Sequence, residues 1–284
     1  GKIRADVIAP AQHRIPQHQI SSNALRVLER LHDAGYDAHI VGGGVRDLLL
    51  GLRPKDFDVA TNATPEQVRQ VFRRSRIIGR RFRIVHVMFG RDMIEVTTFR
   101  GHHSNAEDES QGEVHDSGLL LRDNVYGSIE EDAVRRDFTV NALYYGVDGH
   151  VRDFCNGMRD IQQRKIHMIG DPDTRYREDP VRMLRAVRLA AKLDFTLEKH
   201  TAAPIARLAP LLHDISNARL FDEMVKLFMA GSAVKTFELM VQHQLFQVLF
   251  PGPARLLQPG NYSDLLIRQA LANTDARIRN DQRV

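Results

Sequence analysis

Apolar positions in the first half of the chain switch between helical and strand spacing, whereas beyond about residue 160 only helical spacing persists. Leu25, Val27, Leu28 and Leu31 fall on one helical face, with Ser21 or Ser22 placed to cap it. A strand is predicted over 38–41, running directly into Gly42-Gly43-Gly44, and a helix over 46–50 that stops near Gly51. Another strand centres on 56–60. Thr64-Pro65-Glu66-Gln67 combines an N-cap threonine, a proline at the first helical position and a glutamine three residues on, which predicts a helix to about Phe72. Strands over about 83–89 and 93–99 form a hairpin around Gly90-Arg91-Asp92, and a last pair over 143–147 and 150–154 turns at Asp148-Gly149. Leu184, Val187 and Ala191, then Leu208, Leu211 and Leu212, then 224–229 and 237–249, recur as helices. The pattern is therefore an α+β head to about residue 155 followed by helices. Residues 1–20 show no period and read as a polar N-terminal arm. Residues 101–118 read as a long loop, a length that in a compact domain is usually mobile or functional.

Composition narrows the class without naming a function. The chain has 284 residues, 43% hydrophobic and 27% charged, which suits a globular fold. One cysteine, Cys155, leaves no internal disulfide and fits a reducing compartment. No apolar run approaches the roughly 18 residues of a membrane span, and the opening GKIRADVIAP lacks a signal-peptide core. A cytoplasmic location is the expectation. With 40 Lys+Arg against 36 Asp+Glu, the formal charge of +4 permits a nucleic-acid partner without requiring one.

Position says more than total charge. In a strand, residues i and i+2 share a face, so Asp56 and Asp58 can aim two carboxylates at one point with Phe57 packed behind. Two converging hard oxygens suit Mg²⁺, which fills its shell with water and phosphate oxygens. The glycines ahead expose backbone N–H groups at a helix start, where a triphosphate can approach closely. The order strand, glycines, helix, strand, Asp-x-Asp points to metal-assisted phosphoryl or nucleotidyl transfer. Glu95, in the next strand, is either a third acidic group there or a solvent-facing glutamate. Arg135 and Arg136 can neutralise phosphates, and Asp137 and Asn141, four apart, would share a helical face. The alternative is an ion-paired turn. Arg182, Arg185, Arg188 and Lys192 form a basic stripe opposite Val181, Leu184, Val187 and Ala191, and Asp179 with Arg182 could offer a donor–acceptor edge to a base. Six arginines between Arg73 and Arg83 predict contact with RNA or a triphosphate. His102, His103 and His115 lack zinc spacing.

Four segments carry a resemblance: IVGGGVRDLLLG (40–51), KDFDVATNATPEQV (55–68), EDAVRRDFTVNALYY (131–145) and RYREDPVRMLRAVRLAAKL (175–193). In this order they resemble the class II nucleotidyltransferases of the polymerase-beta superfamily, which hold bacterial poly(A) polymerases and CCA-adding tRNA enzymes. The resemblance implies a polymerase-beta-like head of mixed sheet and helices over 21–155, a nucleotide-selecting helical neck over 156–220 and a helical body over 221–284. The chain stops at Val284, short of the longer body and basic tail the resemblance leads one to expect. It further implies catalytic Asp56, Asp58 and Asp137, with two Mg²⁺ ions (Mn²⁺ as a substitute) on Asp56 and Asp58. Gly42, Gly43, Arg46 and Arg136 would bind ATP, Asp179 and Arg182 would read its base, and Arg80 and Arg81 would touch RNA. The segment Ile77-Ile78-Gly79-Arg80-Arg81-Phe82-Arg83-Ile84-Val85-His86 fits the poly(A) polymerase pattern, so the expected reaction is addition of AMP to RNA 3′ ends. A CCA-adding enzyme and a catalytically silent RNA-binding module are the alternatives. RNA-decay proteins, as further partners, leave no readable motif.

Overall fold

A computed structural model of the chain describes residues 3–101, 125–258 and 260–281. Apart from Gly101, the loop read over 101–118 lies outside the described residues, and His102, His103 and His115 lie there with it. Two compact units divide the chain, Gly1–Gln162 and Gln163–Val284.

The first unit is a mixed sheet with helices. Its strands are β1 (Asp6–Ile8), β2 (Ala38–Val41), β3 (Asp58–Thr61), β4 (Ser75–Ile78), β5 (Ile84–Phe89), β6 (Asp92–Thr98), β7 (Leu143–Gly146) and β8 (Val151–Asp153). They lie in the order β1-β8-β7-β2-β3-β6-β5-β4, antiparallel except where β3 meets β6. The period-free N-terminal stretch thus contributes an edge strand and a short helix, α1 (Pro10–His13), whose His13 Nε2 lies 2.7 Å from the Gly149 carbonyl oxygen. Helix α2 (Ser22–Asp33) starts where Ser21 Oγ accepts from the Ala24 N–H, and it buries Ala24, Val27, Leu28 and Leu31. Helix α3 (Gly43–Leu49) begins three residues earlier than its apolar spacing suggests, because the glycines themselves form its first turn behind Gly42 at φ +80°. Helix α4 (Pro65–Val71) carries the predicted capping box, with Gln67 N–H on Thr64 Oγ1 and Thr64 N–H on Gln67 Oε1.

Helices α2 and α4 pack on one face of β3, β6, β5 and β4, where Val59, Ile94, Val96, Val85 and Val87 are buried. Paired strand residues point to the same side. The register therefore sets Asp58, Glu95, His86 and Arg76 in one cross-strand row on the other face. Asp58, Glu95 and His86 in that row are half-buried, and Arg76 at its outer end is exposed. Strand β4 is the element that apolar spacing missed. Only Ser75 and Ile77 turn inward, so its arginines read as a patch rather than a strand.

The turn from β4 to β5 depends on glycine. Gly79 sits at φ +97°, and a Cβ there would meet the Phe82 carbonyl oxygen at 2.2 Å. We expect Gly79→Ala to lower stability by at least about 1–2 kcal/mol from the left-handed backbone alone, read by urea denaturation. An unchanged midpoint would contradict the turn geometry.

Helix α5 (Ile129–Arg135) precedes β7 in the chain, and α6 (Gly157–Gln163) follows β8. The second unit is helical, with one departure from expectation: Lys165–Ile166 (β9) pairs in parallel with Thr196–Leu197 (β10), too short a ladder to leave a period. Between them run α7 (Pro172–Glu178) and α8 (Val181–Leu193). Helix α8 buries Val181, Leu184, Val187 and Ala191 and turns its basic stripe outward, where Arg188 meets Glu223 at 3.8 Å.

Candidate active site

Asp56 and Asp58 occupy the approach to β3 and its first residue. Asp56 is exposed just before the strand, Phe57 is buried, and Asp58 is half-buried. The predicted alternation therefore holds, although the strand itself begins only at Asp58. Glu95 pairs directly with Asp58 in the parallel ladder, which makes it a neighbour of the carboxylates rather than an isolated surface glutamate. Its other neighbour is His86, with Nε2 3.5 Å from Glu95 Oε1. Burial pushes the Asp58 pKa up to about 6, Glu95 and Asp56 push the same way, and the Arg136 cation pulls against them. These four groups act on one another, and their sum is an excess of negative charge.

The glycines do two separate jobs. A Cβ on Gly44 would come within 3.3 Å of the Asp56 carbonyl oxygen and 3.7 Å of the Phe57 ring, so α3 and the Asp-x-Asp segment approach closely only over bare backbone. Gly42 adopts φ +80°, and its Cα faces Arg136 Nη1 at 4.0 Å from an ideal Cβ.

Arg46 does not stand free as a phosphate ligand. It is 5% exposed, its Nε and Nη2 donate to Asp47 Oδ1 at 3.0 and 2.9 Å, and its Nη1 donates to Asn141 Oδ1 at 2.7 Å. Asn141 Nδ2 in turn donates to Asp137 Oδ1 at 3.4 Å. Asp137 and Asn141 do meet, but through a 3₁₀ turn over Thr139–Asn141 rather than a shared α-helical face. Arg46 thus ties α3 to the Asp137 segment.

Arg136 has its own anchor. Its Nε and Nη2 donate to Asp132 Oδ2 at 3.2 and 3.1 Å, and the Tyr144 hydroxyl donates to the same oxygen at 2.6 Å. Burial would raise the pKa of Asp132, yet Arg136, the Tyr144 hydroxyl and the Arg100 N–H overcome it and hold the carboxyl below its ordinary range. Sequence reading passed over Asp132 and Tyr144 as functional residues. The signal was present for the first, since Asp132 and Arg136 stand four apart at the end of α5.

Arg80 and Arg81 lie exposed on the β4–β5 turn. Next to them the Arg100 guanidinium covers the Phe82 ring, 3.3 Å from its centroid, and Arg83 pairs with Glu66. In the second unit Asp179 Oδ1 accepts from the Val181 N–H at the start of α8, and its Oδ2 accepts from Arg219 at 2.6 Å. Arg182 Nη1 donates to the Arg175 carbonyl and to Glu178. Asp179 and Arg182 therefore sit one turn apart with separate partners.

Comparison with known proteins adds the family. Residues 38–167 match the poly A polymerase head domain, and residues 194–257 match a probable RNA and SrmB-binding site of polymerase A. The chain is 57% identical over 282 residues to poly(A) polymerase I of Salmonella typhimurium, covering 98% of this chain and 61% of that protein. It is 37% identical over 234 residues to the CCA-adding enzyme of Lactobacillus gasseri, covering 82% of this chain and 56% of that one. In structure it is similar to the Bacillus stearothermophilus CCA-adding enzyme in complex with CTP, with a TM-score of 0.73 at 33% identity over 90% of this chain and 64% of that one. The chain thus spans about three-fifths of the length of the Salmonella relative. With the poly A polymerase head domain over 38–167 and 57% identity to a poly(A) polymerase I, the chain belongs to the nucleotidyltransferase family of poly(A) polymerases and CCA-adding enzymes.

Proposed function

We propose that the chain is a template-independent RNA adenylyltransferase, joining an RNA 3′ oxygen to the α-phosphorus of ATP with release of pyrophosphate. One observation carries it: the half-buried Asp58 carboxyl, crowded by the charges of Glu95 and Asp56, stands beside a glycine turn and an anchored arginine, in a chain 57% identical to a poly(A) polymerase I. That charge excess fits a hard divalent cation. Among the described residues no three His, Cys, Asp or Glu side chains gather into a metal cage, so a cation held by Asp56 and Asp58 would complete its shell with water and phosphate oxygens, as Mg²⁺ does. When bound, Mg²⁺, as two ions or with Mn²⁺ in its place, would lower the pKa of the RNA 3′-hydroxyl and neutralise charge on the phosphates.

The chain's own groups do the positioning. Gly42 and Gly43 present backbone N–H groups to the triphosphate, and Arg136, held by Asp132 and Tyr144, brings its positive charge to the same phosphates. Arg46 keeps Asp137 in place through Asn141, and Asp137 completes the nucleotide pocket. Arg80 and Arg81 contact RNA. Asp179 and Arg182 read the adenine edge by exchanging their present partners for the base, which costs little because Arg219 is an exposed ion-pair partner. The functional division is a head over 21–155, a neck over 156–220 and a body over 221–284. The enzyme works in the cytoplasm on RNA and ATP. No helix among the described residues is long and apolar enough to cross a membrane, and Cys155, its thiol pushed up to about 11 by burial, is chemically quiet.

Primer extension with the four nucleotides offered singly tests the reading. AMP alone is expected to be added to an RNA primer. CMP addition to a tRNA lacking its CCA end would instead make it a CCA-adding enzyme, and no addition of any nucleotide would make it a binding module.

A further inference from the structure

The first unit has a second basic feature, away from the carboxylates. A concavity of about 370 Å³ opens where α2 and the end of α4 meet β4 and β5. Arg26 and Arg30 enter it from α2, and Arg73 and Arg74 from the segment after α4; no acidic side chain lines it. Arg30 is fixed, with Nη2 donating to the Val71 carbonyl at 2.6 Å and its guanidinium 4.6 Å from the Phe72 ring centroid. Arg26, Arg73 and Arg74 are exposed, and among the described residues they meet no carboxylate. The floor is apolar: Phe72, Val87, Met88 and Phe89.

Four like charges around one depression repel one another unless a ligand supplies the counter-charge. Guanidinium forks match phosphate oxygens, while an apolar floor suits the face of a base. The volume is in the range of small-ligand sites, roughly 300–1,000 Å³. The concavity lies beside β4, the edge strand that carries Arg76 at the outer end of the Asp58 row: the Met88 N–H donates to the Arg74 carbonyl at 2.8 Å just before that strand begins, so an RNA leaving Asp58 along the row reaches the concavity around this edge. Arg76 stands three strand spacings from Asp58, about 14 Å, a distance that the two phosphates of a trimer fall short of and a longer RNA covers.

We propose that this arginine-rimmed concavity binds the phosphodiester backbone of the RNA upstream of its 3′ end, a second RNA contact on the head. The proposal rests on RNA being the substrate. The test is the triple variant Arg26→Ala, Arg73→Ala, Arg74→Ala, with Arg30 kept because it ties α2 to the end of α4. AMP addition is measured on an oligoadenylate trimer, too short to reach the concavity, and on a 20-mer. We expect KM for the 20-mer to rise about tenfold with kcat unchanged and the trimer unaffected. The salt dependence of 20-mer binding should flatten by about 2 in log–log slope, from roughly 0.7 per lost phosphate contact. An unchanged KM and slope for the 20-mer overturns the proposal, as does an equal loss on both primers. Loss of binding to polyglutamate with RNA kinetics intact assigns the concavity to an acidic protein and overturns it too. If the wild type adds no nucleotide to either primer, the adenylation reading fails by itself. Fluorescence anisotropy of the 20-mer on wild type and variant then still decides the concavity.

Discussion

Asp58→Asn is expected to abolish AMP addition and, at the same time, to make the metal-free protein more stable at neutral pH. The loss of activity follows from deleting a charge at the point where phosphate charge develops, a change that costs at least about 10²–10³-fold. The gain in stability follows from linkage. The native pKa of Asp58 is about 6 against an ordinary 3.8, because burial, Glu95 and Asp56 all disfavour its ionised form. A carboxyl with a raised native pKa binds its proton more tightly when folded, so ionising it works against the fold. That penalty is absent below about pH 4, grows between 4 and 6, and is complete above 6. Asparagine escapes it, so the variant's advantage should appear only on the alkaline side of that window. The size is on the order of 3 kcal/mol, from a rise of about 2 in pKa at 1.36 kcal/mol each, or about 5 °C in Tm for a chain of this length. Thermal unfolding from pH 4 to 8 without divalent cations measures it. Added Mg²⁺ should raise the wild-type Tm and leave the variant where it is, closing the gap. A variant that melts lower than wild type at pH 7.5 in the absence of metal would sink the argument that these carboxylates are crowded for function.

That crowding marks the limit of what spacing along a chain can convey. The local features were legible: the Thr64–Gln67 capping box, the α2 face on Leu28 and Leu31, and the alternation that buries Phe57 between Asp56 and Asp58. Each is decided within one or two turns of backbone. Glu95 stayed ambiguous because its place beside Asp58 comes from a parallel pairing across 37 residues, which no local period encodes. Strand β4 was read as a charged patch because an edge strand needs only two inward residues, Ser75 and Ile77. Arg46 was assigned to phosphate because its burial depends on Asn141, which lies 95 residues away. The glycines read as room for a triphosphate, while the close approach seen in the fold is internal: Gly44 accommodates the Asp56 backbone.

Asp132→Ala should then be the most damaging substitution for stability in the head, although Asp132 touches no substrate in the proposed reaction. The carboxylate is 1% exposed and receives the Tyr144 hydroxyl, Arg136 Nε and Nη2, and the Arg100 N–H at 3.0 Å. Alanine takes the carboxylate acceptor from every one of these donors and leaves a guanidinium beside the buried phenol. Removing one partner of a buried ion pair costs about 3–5 kcal/mol, because the other charge remains buried and uncompensated. Tyr144→Phe, which removes a donor to Asp132 and an acceptor of Arg136 Nε, should cost less, about 1.5–3 kcal/mol. Asp132→Asn should fall between them, since it keeps an acceptor for Arg100 but loses the charge. Acid supplies an independent check. The native pKa of Asp132 lies below its ordinary value of 3.8, so its contribution is complete above that value and is lost as pH falls through the native pKa. Urea denaturation at pH 7 should therefore separate wild type from Asp132→Asn by more than the same experiment at pH 2–3. AMP addition should fall in both Asp132 variants through Arg136, which keeps its charge but loses the groups that aim it at Gly42. A loss of less than about 1 kcal/mol for Asp132→Ala would mean that Arg136 finds another anchor, and the account of how the head holds its phosphate-facing arginine would have to be replaced.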